Sequence, residues 1–140
     1  KFITGSEFTV PVIGNERPEA LPTVQISIDG KTDLGDLCYT FSRIRSDTLS
    51  YVCPAKITRE LDRKLKEVSL KAYKAVECRD FGRVDIRVDK NGNPYVLEIN
   101  PLPSLSTEDV FMTVAKHMKV SYDSIVNRIL DYALERYGMK

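Results

Sequence analysis

The stretch that most constrains this chain is residues 82–100, GRVDIRVDKNGNPYVLEIN. Two runs alternate apolar and other residues, and Lys90-Asn91-Gly92-Asn93 joins them. Asn-Gly between alternating runs is a strong hairpin signal, because a type I′ turn needs positive φ at both central positions. With Asn91-Gly92 as a two-residue loop, Lys90 pairs with Asn93. Counting outward, Asp85 then opposes Glu98, and Arg83 opposes Asn100. Successive side chains alternate between the two faces of a strand. Arg83, Asp85, Arg87, Val96, Glu98 and Asn100 are therefore expected on one face. Val84, Ile86, Val88, Tyr95, Leu97 and Ile99 are expected on the other, facing the core.

The polar face has two readings. One is the solvated outer surface of a two-layer sheet. The other is a site. Directly opposed carboxylates repel unless a cation lies between them, and the hard oxygens of Asp85, Glu98 and Asn100 suit Mg²⁺ or Mn²⁺. Arg83 beside them could grip a phosphate or carboxylate with two parallel hydrogen bonds. The polar residues cluster at one end of the hairpin and lead into the loop NPLPSLS, which favours the site. A turn one residue longer would take Asp85 out of opposition to Glu98.

The rest of the chain supplies partners for this hairpin. EFTVPVIG and TVQISIDG read as strands, and LSYVCPA as a short strand closed by Pro54. Residues 31–48 are polar without a clear period, a long loop of the kind that often serves as a lid. From Thr58 the period changes: Leu61, Leu65, Val68 and Ala72 mark an amphipathic helix to about Val76, capped by Thr58. Ser106 or Thr107 is expected to cap a helix through Met118. Ser121 is expected to cap a last one with Ile125, Ile129 and Ala133 on one face, ending at Gly138. Strands, helix, hairpin and helices in this order argue for an α+β fold, an antiparallel sheet backed by helices. At 140 residues this is one domain's worth of core.

Charge narrows the function classes. Twenty-one Lys and Arg against 20 acids leave a net +1, which gives no electrostatic case for nucleic acid or an anionic membrane. No apolar run approaches the roughly 20 residues that span a bilayer. Cys38, Cys53 and Cys78 are odd in number and widely spaced, which suits reduced thiols in a cytoplasm, with Cys53 packed in the core. The one histidine, His117, is flanked by lysines and reads as a solvated helix position. The chain opens on strand-like KFITGSEFTVPVIG without a methionine, so it is expected to be the end of a longer chain.

Three separated motifs, FITGSEFTV, YVCPAKIT and FGRVDIRVDKNGNPYVLEINPLPSLS, resemble the C-terminal part of the D-alanine–D-alanine ligase family of ATP-grasp enzymes. The likeness runs through nearly the whole chain. It implies the C-terminal subdomain of an ATP-grasp fold that binds ATP with two Mg²⁺ (or Mn²⁺) ions. By the family pattern, Asp85 and Glu98 bind one ion, and Glu98 and Asn100 the second. Arg83 stabilises an acyl-phosphate intermediate, Glu7 holds the ATP ribose, and Lys1 and Ile3 line the adenine pocket. Arg43 stands where the family has a phosphate-touching lysine.

The implied reaction joins two D-alanines in the cytoplasm for peptidoglycan precursor synthesis. It needs no nucleophilic side chain, in keeping with the lack of a plausible triad. Two departures touch the substrate half. Ser104 replaces a glycine, and Asp109 falls where the family has a serine that grips the second substrate, so Ser104, Ser106 or Thr107 is expected in that role. Otherwise the acceptor is a different amino acid. The family's N-terminal domain and Gly-rich loop have no counterpart here, so this chain is expected to partner an N-terminal part and not to turn over alone. Such ligases are commonly homodimers. A third reading is a nucleotide-binding module without turnover.

Overall fold

The computed structural model describes residues 2–37 and 49–139. Among them one antiparallel sheet is built from β1 (Gly5–Ile13), β2 (Glu19–Ala20), β3 (Val24–Ile28), β4 (Leu49–Val52), β5 (Phe81–Asp89) and β6 (Pro94–Asn100). The helices are α1 (Arg59–Ala75), α2 (Val110–Met118) and α3 (Tyr122–Arg136). The strand order is β4-β3-β1-β5-β6, with β2 attached to the end of β1. This is the expected α+β sheet backed by helices. Of the expected 31–48 loop, only 31–37 fall within the described residues. There Lys31 and Asp33 bridge to Ile28 and Ser6, and Leu34 is buried. Lys1, Cys38 and Arg43 lie outside the described residues.

Alternation along β1 and β5 divides the sheet. Phe8, Val10, Val12, Val84, Ile86 and Val88 face α1 and enclose its Leu65 and Tyr73. Thr58 caps α1 as expected, its hydroxyl accepting from Leu61 N at 3.2 Å. The deepest line of α1 is Leu65, Ser69 and Tyr73, and Leu61, Val68 and Ala72 of the expected stripe flank it, partly buried. Ser69 tolerates burial because its hydroxyl donates to Leu65 O at 2.8 Å. On the opposite face, α2 and α3 pack Val110, Phe111, Val114, Ile125 and Ile129 over Ile13, Val24 and Phe81. Beyond that end, the apolar residues of the face give way to buried Glu7, Thr9, Arg83, Asp85 and Arg87.

The hairpin turn is one residue longer than the dipeptide signal suggests. Val88 pairs with Pro94, Asp89 N donates to Asn93 O (3.1 Å) and Gly92 N to Asp89 O (3.0 Å). Only Gly92 of the turn has positive φ, at 77°. This is a three-residue loop ending in a left-handed glycine, in place of type I′. Asp89 favours it, since its carboxylate accepts from the amides of both Asn91 and Asn93 at 2.9 Å. Those bonds, led by the Asn93 amide, hold the Asp89 carboxyl below its usual range.

The longer turn alone would slide the strands by one residue. A bulge in β6 at Leu97, across from the Asp85–Ile86 step, takes up the slip, so Asp85 still opposes Glu98 and Arg83 still opposes Asn100. On the turn side of the bulge the alternation is reversed. Val96 pairs with Ile86 and Tyr95 with Arg87, opposite to their expected placement. Tyr95, Val96 and Leu97 are exposed on the edge strand; on β6 the expected core face survives only at half-buried Ile99.

A polar clamp ties α3 to this sheet. Asp80, in a left-handed conformation just before β5, accepts from Arg136 Nε (3.1 Å) and NH2 (2.6 Å) and from Asn15 Nδ2 (3.0 Å). Above all the Arg136 hydrogen bonds, and also Asn15, hold its carboxyl below the usual value despite burial. A carboxyl depressed in the folded state adds stability above its unfolded pKa, about 3.9. That contribution is lost as pH falls through the folded value. Asp80→Asn is therefore expected to lower stability at pH 7 by about 1 kcal/mol and to flatten the acid limb of Tm against pH. An acid limb as steep as the wild type's would sink the assignment.

Candidate active site

Strand pairing assembles the candidate residues. β1 sets Thr9 opposite Asp85 and Glu7 opposite Arg87, and β6 sets Glu98 opposite Asp85 and Asn100 opposite Arg83. Asp85 Oδ1 accepts from Thr9 Oγ1 at 2.6 Å and from Arg83 Nε at 3.0 Å. Asp85 Oδ2 accepts from Arg83 NH2 at 2.9 Å. The Arg83 and Asp85 side chains are 10% and 11% exposed, so this paired grip is shielded from solvent. Glu7, Thr9, Tyr51, Arg83 and Asp85 border one small cavity. Arg83 NH1 also lies 3.9 Å from Asp109 Oδ1.

The donor chemistry fits a hard divalent cation. A carboxylate offers about four acceptor positions. Arg83 and Thr9 take three on Asp85, which leaves one on Oδ2. Glu98 is exposed and has no hydrogen bond or ion pair among the described residues. Asn100 Oδ1 accepts from Leu102 N at 3.0 Å and keeps a second lone pair. Among the described residues no group of three or more His, Cys, Asp or Glu is placed to hold a metal. The set here is two carboxylates and an amide oxygen, all of the hard class that Mg²⁺ prefers.

The loop after Asn100 is pinned by its own side chains. Ser104 Oγ accepts from Ser106 N (3.1 Å), and Ser106 Oγ from Glu108 N (3.3 Å); both serines are exposed. The cap of α2 is Asp109, in place of the expected Ser106 or Thr107, with Oδ1 accepting from Val110 N at 2.6 Å. The reason is local: Ser106 closes the turn onto Glu108, so the helix begins later. Asp109 is thereby held at the helix start, within reach of Arg83.

Glu7 is buried in an ion pair with Arg87 at 3.0 Å, and Ile3 is half-buried just ahead of β1. His117 is exposed and Cys53 packs against the α2–α3 core, where burial pushes its thiol up to about 11. Local sequence put Arg87 on the face of the site but missed its pairing with Glu7, and it missed Thr9 as a partner of Asp85. Alternation in EFTV places Glu7 and Thr9 on one face, but no local signal names β5 as their partner.

This architecture is that of the C-terminal subdomain of an ATP-grasp fold. The chain belongs to the D-ala D-ala ligase C-terminus family, whose sequence model matches residues 1–131. It is 37% identical over 137 residues to the uncharacterized protein y4sG of Sinorhizobium fredii, covering 98% of this chain and 40% of that one. It is 29% identical over 140 residues to the D-alanine–D-alanine ligase of Pelotomaculum thermopropionicum, covering 100% of this chain and 42% of that enzyme. The crystal structure of the Bacillus anthracis D-alanine–D-alanine ligase complexed with ATP superposes with a TM-score of 0.73 at 24% identity. That match covers 100% of this chain and 40% of the other. The chain thus spans about two fifths of the length of the curated relatives it matches, 40% and 42%. Among the described residues no helix is long and apolar enough to cross a membrane.

Proposed function

We propose that this chain is the C-terminal ATP-grasp portion of a longer cytoplasmic ligase that joins two D-alanines at the expense of ATP, for peptidoglycan precursors. The observation that carries the reading is the Arg83–Asp85–Glu98–Asn100 cluster, gathered by β5 and β6 in a member of this family. Asp85, Glu98 and Asn100 would hold two Mg²⁺ ions, which supply charge neutralisation for the ATP phosphates when bound. Glu7 would hold the ribose, with Ile3, Lys1 and Arg43 contributing to the adenine and phosphate ends. The carboxylate of one D-alanine takes the γ-phosphoryl group, ADP leaves, and the amine of the second displaces phosphate. Arg83, a buried planar cation, stabilises the charge that builds on the transferred group. Phosphoryl transfer rests mainly on positioning and electrostatics, which suits a site without a side-chain nucleophile.

A second reading, a different acceptor amino acid, is favoured by one observation. Asp109 caps α2 and faces Arg83, so a carboxylate stands where an acceptor's carboxylate would be gripped. Under the first reading Ser104, Ser106 or Thr107 would take over that grip by donating a hydroxyl proton. Full-length protein with ATP, Mg²⁺ and single amino acids separates the readings by phosphate release. Release with D-alanine alone supports the first, and release only with a second amino acid added supports the other. No release with any pair defeats both and leaves a nucleotide-binding module.

A further inference from the structure

Arg87 is the most deeply buried charge in the sheet, 2% exposed, and lies outside the cluster assigned above. Its guanidinium joins three places in the chain. NH1 donates to Glu7 Oε2 at 3.0 Å, while NH2 donates to Gly5 O at 3.3 Å and to Gly35 O at 2.6 Å. The ring of Phe2 lies over it, 5.0 Å from Cζ to the centroid. Its Nε has no hydrogen-bond partner among the described residues. A buried ion pair is weak support for stability, because an apolar pair of similar volume often serves as well or better. Toward the other end of the same face, Ile13 and Phe81 are just such an apolar pair. The arrangement at Arg87 therefore asks for a purpose other than packing, and the oriented group is the Glu7 carboxylate.

We propose that Arg87 is a positioning residue for the nucleotide end of the site. It fixes the Glu7 carboxylate and the turn carrying Gly35 as one unit, and so sets the preference for ribose over deoxyribose. The inference rests on Glu7 contacting the ATP ribose, as proposed above. The guanidinium serves Glu7 from one nitrogen and the Gly5 and Gly35 carbonyls from the other, a spread that a single ammonium nitrogen does not reproduce. The ammonium of a lysine is a point charge on a different geometry.

The test is steady-state kinetics on the full-length protein with ATP and 2′-deoxy-ATP. The variants are Arg87→Lys, Arg87→Met, Glu7→Gln and the double variant Glu7→Gln/Arg87→Met. Loss of one charged hydrogen bond predicts a rise in KM for ATP of about tenfold in Glu7→Gln and in Arg87→Lys. Both variants should also lose the preference for ATP over 2′-deoxy-ATP, with KM for D-alanine unmoved. The double variant should be no worse than Glu7→Gln alone, because positioning is void once the positioned carboxylate is gone. Should Arg87→Met fail to fold, Arg87→Lys and the charge-balanced double variant carry the comparison. Arg87→Lys with wild-type nucleotide preference, beside a Glu7→Gln that has lost it, overturns the role of Arg87 and leaves the ribose contact standing. Glu7→Gln with unchanged ATP kinetics overturns the ribose contact itself, and the inference with it.

Discussion

Glu98→Gln is expected to lower kcat of the full-length protein by about 10³-fold or more while leaving its melting curve in place. The substitution keeps the size and shape of the side chain and removes only the charge. Glu98 lies exposed on an edge strand with no partner among the described residues, so the stability change should stay within about 0.5 kcal/mol. Asp85→Asn is a less clean probe. It also replaces the Oδ2 that accepts from Arg83 NH2, and so mixes loss of a charged oxygen donor with a weakened grip on a buried arginine. Glu98 separates the two effects because its carboxylate does no structural work in the fold. Phosphate release together with thermal denaturation checks the result. An active Glu98→Gln enzyme would sink the metal assignment, and an unfolded one would show that the edge strand depends on that charge.

Gly5→Ala should be the most damaging single methyl in the described chain, costing more than about 3 kcal/mol. Gly5 opens β1 with φ 147°, a region that residues with a Cβ rarely enter. A Cβ built there would overlap the Val88 carbonyl oxygen on the paired strand. Relief means parting β1 from β5 at the Gly5↔Asp89 pair. It would also disturb the Gly5 carbonyl, which accepts from Arg87 NH2 and Leu34 N. Gly92→Ala is the control. Gly92 has φ 77° but open space around its missing Cβ, so the cost there should be only about 1–2 kcal/mol. Chemical denaturation of both variants measures the contrast. Equal losses would mean that dihedral preference, not the clash with Val88, dominates at Gly5.

Much of the fold was legible in local sequence. Helix α1 with its Thr58 cap, α3 with its Ser121 cap, and β1, β3, β5 and β6 fall where alternation, spacing and capping residues put them. The α2 cap was misplaced because Ser106, Thr107 and Asp109 are all good capping residues. Choosing among them depends on which turn the loop makes first. The hairpin is the more instructive case. Asn-Gly pointed to a two-residue turn, while the Asp89 carboxylate favours a loop with one residue more. A bulge in β6 then cancels that residue, so the expected opposition of Asp85 and Glu98 holds through two compensating changes.

By itself the sequence determined the kinds of element, their order, and the identity of the four polar residues that end the hairpin. Those follow from periodicity and turn chemistry, which act over a few residues and are written locally. Tertiary structure alone decided what surrounds them. It set β1 between β3 and β5, brought Thr9 onto Asp85 and Glu7 onto Arg87, and turned Asp109 toward Arg83. Strand order and register depend on burying α1 on one face while α2 and α3 cover one end of the other, and no short stretch records that balance. The face of the sheet was therefore readable one strand at a time, and its contacts only once the strands were paired.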